Sequence, residues 1–265
     1  MYEEKEMYIS EIRPGVYLLD EAHEATGFVV IGENKACVID TMKSYTDIGA
    51  AVKNITDKPL IVINTHGHPD HIYGNIFFDE AYINSKDIPL TKEFVKEPRF
   101  VEGCEMRGLK MPPFKEVMGG DVFDLGGKTL QIYDIPGHTP GGILLHLKED
   151  RILFTGDAIN HHLWLQLPHS MPLKECAEAI DRVLFLENEA DIILHGHARD
   201  YDDISLMRCV RDGIWEIING ETQEDKPYSW FGGQAMQHPF KVCEGKHYQQ
   251  DDHVICYDME RSYLK

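Results

Sequence analysis

The stretch Leu60-Ile61-Val62-Ile63-Asn64-Thr65-His66-Gly67-His68-Pro69-Asp70-His71 joins an apolar run to four metal-ligating side chains within six positions. Four consecutive apolar residues read as a short strand buried on both faces. A loop that leaves such a strand has one end rigidly fixed, which suits it to hold functional groups. His66 and His68 can converge on one metal from the same side. Asp70 and His71 lie further along and can turn toward a second. Neutral imidazole and carboxylate suit zinc, and also iron or manganese. A solvated polar turn has no need of three histidines and an aspartate at this density.

Three further segments echo the pattern, each just after a strand-like run. Gly137-His138-Thr139-Pro140-Gly141 follows residues 130–135. Thr155-Gly156-Asp157 follows 152–154, and His195-Gly196-His197 follows 192–194. Singly, each passes for turn chemistry. Strand ends gathered along one sheet edge would bring all four segments together.

The surrounding sequence supports such sheets. Residues 16–19, 27–31 and 36–39 are β-branched or aromatic runs separated by turn residues, a meander. Apolar residues at Ile48, Ala51, Val52 and Ile55 have helical spacing, and Pro59 closes that region. Strands are expected at 81–83, 122–125, 130–133, 143–147, 152–154, 192–194 and 254–257. Helices are expected at 172–188 and 204–218, and at 86–95 with a break at Pro89. Residues 98–118, with three prolines and two glycines, read as a long excursion or lid carrying Met106, Met111 and Phe114. The rhythm predicts two packed sheets with helices outside, a layered α/β architecture.

Composition narrows the partners. The chain has 265 residues, 26 Lys plus Arg and 45 Asp plus Glu, so the formal charge is 26 − 45 = −19. A nonspecific nucleic-acid binder needs a basic surface, and so does a protein that docks on anionic lipid. Neither partner is expected. No apolar stretch of about 18 residues marks a transmembrane helix. The acidic N-terminus lacks the apolar core of a signal peptide. The six cysteines are scattered without a CxxC pair, as expected of reduced thiols in a cytoplasmic protein.

The ordered set HxHxDH, GHTPG, strand-end TGD and GH resembles the metallo-β-lactamase-fold superfamily, from about residue 15 to residue 200. That resemblance implies a four-layer αββα sandwich with metals at one edge, between the sheets. It implies that His66, His68 and His138 bind a first metal, that Asp70, His71 and His197 bind a second, and that Asp157 bridges both. The implied cofactor is two Zn²⁺, with Fe or Mn as alternatives. His197 fits the ligand position of the last motif, and His195 falls where it would orient a ligand or serve structure. Asp157 makes the chain look more like the glyoxalase II and lactonase branches than like antibiotic-cleaving members. His68 argues against the flavodiiron branch, which has Glu there. Asn160 departs from the tyrosine of acyl-homoserine lactonases, and the strand-like tail from the helical domain of glyoxalase II.

The function expected is hydrolysis of a small ester, thioester, lactone or amide. Two metals would lower a bridging water's pKa to about 7 and so supply hydroxide, and Asp70 would act as general acid and base. The alternatives are a mononuclear iron persulfide dioxygenase-like oxidoreductase and a noncatalytic metal-binding sensor. Candidate substrate contacts are Tyr73 and, in an aromatic and imidazole-rich loop with Trp164 and Gln166, His161, His162 and His169. Residues 1–220 form the expected catalytic domain. Residues 221–265, with Trp230, Phe231 and His238, form an extension that packs on that domain or on a dimer partner.

Overall fold

The computed structural model describes residues 6–231 and 233–260. Its first sheet follows chain order: β1 (Met7–Arg13), β2 (Val16–Glu21), β3 (Ala25–Ile31), β4 (Ala36–Ile39), β5 (Leu60–Ile63), β6 (Ala81–Ile83) and β7 (Phe114–Glu116). The first four strands pair antiparallel. From β4 onward the pairing is parallel, because α1 (Ile48–Ile55) and later helices return the chain to the same end. Asp47 caps α1 by accepting a hydrogen bond from the Ala50 amide at 2.9 Å.

The second sheet begins with the meander β8 (Val122–Asp124), β9 (Thr129–Asp134), β10 (Ile143–Leu147) and β11 (Ile152–Gly156). The chain then leaves for β12 (His162–Trp164) and α5 (Leu173–Val183). It returns in β13 (Ile192–His195), parallel to β11, and β14 (Asp202–Asp203). After α6 (Leu206–Ile218) come β15 (Lys226–Trp230), β16 (Gly233–Pro239) and β17 (Val254–Tyr257). These three join β12 in a third sheet of order β12-β17-β16-β15.

Period-two alternation sorts the strand residues into layers. Phe28, Val30, Ile39 and Ile63 face Ile132, Leu145, Ile152 and Phe154 between the two large sheets. On the outer face of the first sheet, Val29, Val38 and Val62 bury Ile48 and Val52 of α1. On the outer face of the second, Leu144, Leu153 and Ile193 bury Ile180 of α5 and Val210 and Ile214 of α6. The result is the αββα sandwich. The inner face of the third sheet, with Leu163, Ile255 and Tyr257, extends the α5–α6 layer.

The rings of Phe28 and Phe154 meet across the two sheets at 5.1 Å. Phe154→Ala leaves a void at this seam, and the expected destabilisation is about 3–5 kcal/mol. Chemical denaturation measures it, and a change below 1 kcal/mol would show that the seam collapses to fill the gap.

Some elements differ from the sequence expectations. β1 is an extra strand, a largely exposed edge on which apolar Tyr8 and Ile9 lie in the open beside polar Ser10 and Glu11. Residues 98–118 are not an open excursion. They contain α4 (Pro98–Arg107) and β7, with Met111 and Phe114 packed beside Phe100 and only Met106 largely exposed. Pro98 occupies the first turn, where its missing N–H costs nothing. Gly108 ends α4 at φ 64°, a conformation glycine adopts freely. Pro89 likewise starts α3 (Ile88–Phe94) rather than breaking it. Pro69 starts α2 (Pro69–Ile72), so the metal-ligand loop is partly helical.

Candidate metal centre

The carboxyl ends of β5, β9, β11 and β13 lie along one edge of the sandwich. They deliver, in turn, His66 to His71, His138, Asp157 and His197. Parallel pairing of β11 with β13 sets the last two side by side, and the Gly196 amide donates to the Gly156 carbonyl at 2.9 Å. Glycine is required at position 196. A Cβ there would lie 2.4 Å from Cε1 of His71 and 2.5 Å from Oδ1 of Asp157.

The donors fall into two adjoining sets. In the first, Nε2 of His66 and Nε2 of His138 lie 2.9 and 2.8 Å from Nδ1 of His68. In the second, Oδ2 of Asp70 lies 3.8 Å from Nε2 of His71 and 3.8 Å from Nε2 of His197. Asp157 stands between them. Its Oδ2 is 3.1 Å from Nε2 of His197 and 3.6 Å from Nε2 of His138, and its Oδ1 is 3.6 Å from Nε2 of His71. All seven residues named from the sequence are brought together.

Each imidazole is held by its other nitrogen. Nδ1 of His71 pairs with Oδ2 of Asp40 at 2.9 Å, Nδ1 of His138 with the Trp164 carbonyl at 2.7 Å, and Nδ1 of His197 with the Glu24 carbonyl at 2.9 Å. Nδ1 of His66 meets the Thr65 hydroxyl at 3.1 Å, and Nε2 of His68 meets Nε2 of His169 at 2.5 Å. A carbonyl or carboxylate partner fixes the proton on that nitrogen and leaves the opposite lone pair facing inward. Nε2 of His71 and Oδ1 of Asp157 are buried and have no hydrogen-bond partner. Converging, orphaned acceptors of this kind fit a divalent cation, which satisfies them without needing a proton.

Electrostatics divides the histidines. Burial, with the neighbouring imidazoles adding to it, holds His66 and His68 well below the usual histidine range, so both are neutral. Burial opposes charge on His197 too, but the carboxylates of Asp157 and Asp70 outweigh it and push the pKa up to about 9. His71 is raised in the same way, against burial, by Asp157, Asp40 and Asp70. The surrounding carboxylates thus favour the protonated forms of His71 and His197 when no metal is bound. Metal uptake must displace those protons, so affinity falls as pH drops below about 9. Zinc titration calorimetry in buffers of different ionisation enthalpy is expected to show net proton release at pH 7, with His197 as one source. Zero release would contradict this charge assignment.

Exposure within the centre is uneven. His197 and Asp70 keep 35% and 23% of their side chains exposed, whereas His71 is fully buried.

Of the four candidate substrate contacts, His169 touches a centre histidine directly, through His68. Tyr73 stacks on Phe100, and its hydroxyl donates to the Phe94 carbonyl and Glu97, because α3 and α4 fold over it. His161 is fully buried in a separate cluster, with Nε2 2.8 Å from Oδ1 of Asp202. His162 stands on β12 in the third sheet, with Nε2 3.3 Å from Sγ of Cys256 on the neighbouring strand. His238 is bound between Asp225 and Glu216 and serves packing. His195 supports the ligand loop, with Nδ1 accepting from the His197 amide at 3.2 Å and Nε2 3.4 Å from Asp202.

Two residues escape the sequence reading. Asp40, buried at the end of β4, accepts from the Thr65 amide and hydroxyl, both at 2.7 Å, and orients His71. Asp87, also buried, accepts from the Gly67 amide, the Thr139 hydroxyl and the Gly141 amide at 2.8, 2.7 and 2.6 Å. It ties the loop of His66 and His68 to the loop of His138. A lone aspartate just past an apolar run was the available signal for Asp40, while nothing local marks Asp87.

Comparison with known proteins adds to this geometry. A family model described as the metallo-beta-lactamase superfamily matches residues 24–197. The acyl-coenzyme A thioesterase MBLAC2 of Gallus gallus is 29% identical over 238 residues, covering 76% of this chain and 83% of that protein. A hydroxyacylglutathione hydrolase of Hyphomonas neptunium is 34% identical over 131 residues, covering 48% of this chain and 44% of that protein. A solved metallo-beta-lactamase from Pontibacter korlensis is similar over 79% of this chain and 99% of its own, with TM-score 0.62 at 19% identity. At that identity the likeness speaks for the fold alone.

Proposed function

The chain belongs to the metallo-β-lactamase superfamily, and from that premise we propose that it is a two-metal, zinc-dependent hydrolase of the thioester or ester bond in a small-molecule acyl substrate. The observation that carries this reading is the placement of Asp157 between two three-residue donor sets. The relatives support the substrate class, since one is named an acyl-coenzyme A thioesterase and another a hydroxyacylglutathione hydrolase.

His66, His68 and His138 would hold one metal, Asp70, His71 and His197 the other, with Asp157 shared. Metals bound there supply Lewis acidity and lower the pKa of a water to about 7. The chain's own residues do the rest. Asp40, Glu24, Thr65 and Trp164 aim the imidazoles, so the donors need no rearrangement as charge develops. Asp70 is partly exposed, and its carboxylate can take the proton of the attacking water and pass it to the leaving group. The buried histidine wall behind it excludes bulk water. Lactones and amides are secondary candidates within the same acyl-transfer class. We also place the enzyme in the cytoplasm, for which the six free thiols are the supporting observation.

Metal analysis of the purified protein, coupled to a panel of thioester, ester, lactone, β-lactam and phosphodiester substrates, tests the proposal. About two zinc per chain with thioester turnover is the expected result. One iron per chain with oxygen consumption would replace it with an oxidoreductase. Bound metal with inactivity on every class would replace it with a sensor.

A further inference from the structure

We propose that the outward face of the third sheet is the binding surface for a medium- or long-chain acyl group of the substrate. The inference rests on the thioester or ester reading above. It starts from the alternation on β12. Leu163 is buried against the α5–α6 layer, so His162 and Trp164 point the other way. Register carries that outward face across the sheet: Trp164 is level with Cys256 on β17, Tyr228 with Ala235, and Trp230 with Gly233.

Small residues on β16 make this face concave. A Cβ on Gly233 would lie 2.8 Å from Cε2 of Trp230, so the indole lies flat over the glycine. Rings from the two edge strands thereby meet across the two strands between them. The Trp164 ring lies 6.3 Å from Tyr228, 5.9 Å from Trp230 and 6.0 Å from Phe231, and His162 lies 5.5 Å from Tyr228. Phe231 is 91% exposed. Leaving so large an apolar ring in water is costly, and its place beside the half-buried Trp164, Tyr228 and Trp230 makes an apolar patch of the kind that marks a binding surface.

The position of this face identifies its occupant. One edge of β12 is paired with β17, through Val254 to the His161 carbonyl and Leu165 to the Cys256 carbonyl. Backbone alternation then turns the Trp164 carbonyl to the opposite edge, where it accepts from Nδ1 of the metal-site residue His138 at 2.7 Å. The strand that carries the Trp164 ring thus borders the metal centre. An apolar chain attached to a carbonyl reacting at that centre would reach the aromatic face along β12, and burial there would remove its methylenes from water.

Intrinsic tryptophan fluorescence of the intact protein, titrated with butyrate, octanoate and dodecanoate, tests the inference without requiring turnover. Affinity is expected to rise about two- to fourfold per added methylene. Phe231→Ser, at an exposed site, and Trp230→Ala should flatten that slope while leaving butyrate binding unchanged. With thioesters, the same variants should raise KM for long acyl chains and leave turnover of short ones intact. Equal affinity along the series, or a slope that both variants preserve, would overturn the proposal. So would a native dimer that Phe231→Ser splits into monomers, which would assign the face to a second copy of the chain. Inactivity on every thioester and ester with the fatty-acid slope intact would refute the hydrolase reading and confirm an acyl-binding face.

Discussion

Asp157→Ala is expected to reduce metal content to at most one ion per chain. It should also lower kcat/KM by more than the roughly 10–100-fold that loss of a ligand-orienting partner costs. Among the described residues, Asp157 is the one carboxylate within 4 Å of both donor sets, through His138 on one side and His71 and His197 on the other. Its own pKa is well below the usual carboxylate range, because His197 and His71 outweigh the cost of burial. Removing it leaves imidazoles facing each other with no anion between them. Elemental analysis, steady-state kinetics and circular dichroism together check the result. A variant that keeps two metals and full turnover would show that Asp157 bridges nothing.

The second large effect is expected at Asp87, which touches none of the proposed ligand atoms. Asp87→Ala strands the Gly67 amide, the Gly141 amide and the Thr139 hydroxyl in a buried site. Each buried polar group left without its partner costs about 1–3 kcal/mol. Relaxation recovers part of the sum, so a loss of about 3 kcal/mol is expected, or a Tm lower by about 6–12 °C. The two loops that carry His66, His68 and His138 also lose their common anchor. Metal affinity should therefore fall by about 10–100-fold. Asp87→Asn keeps the shape and part of the acceptor capacity, and it should fall between the two. Equal metal affinity in all three proteins would reduce Asp87 to a purely structural role. The crowding around this carboxylate also explains the glycine at 141, where a Cβ would come within 2.7 Å of Oδ1 of Asp87.

Much of the candidate centre is legible from the chain. All seven ligand candidates lie within about eight residues of the end of an apolar run, and the two-sheet layering follows from period-two strands alternating with helical spacing. The positioning residues are not legible in this way. Asp40 looks like ordinary strand-end punctuation until His71, 31 residues on, folds against it. β12 is three residues long, and β17, its only paired neighbour in the sheet, begins at Val254. No local window contains that pairing, so His161 and His162 read as loop residues, whereas His161 lies against Asp202 and His162 stands on a strand of the third sheet.

By itself the sequence determines which side chains are available as ligands and that they sit at strand ends, because residue chemistry and the distance from an apolar run are local properties. Only the tertiary structure decides which nitrogen of each histidine faces inward and where the aromatic face lies. Those outcomes depend on partners such as Glu24 for His197, 173 residues apart, and Trp164 for His138, 26 residues apart. Burial of the whole core brings such pairs together, and no local propensity encodes it.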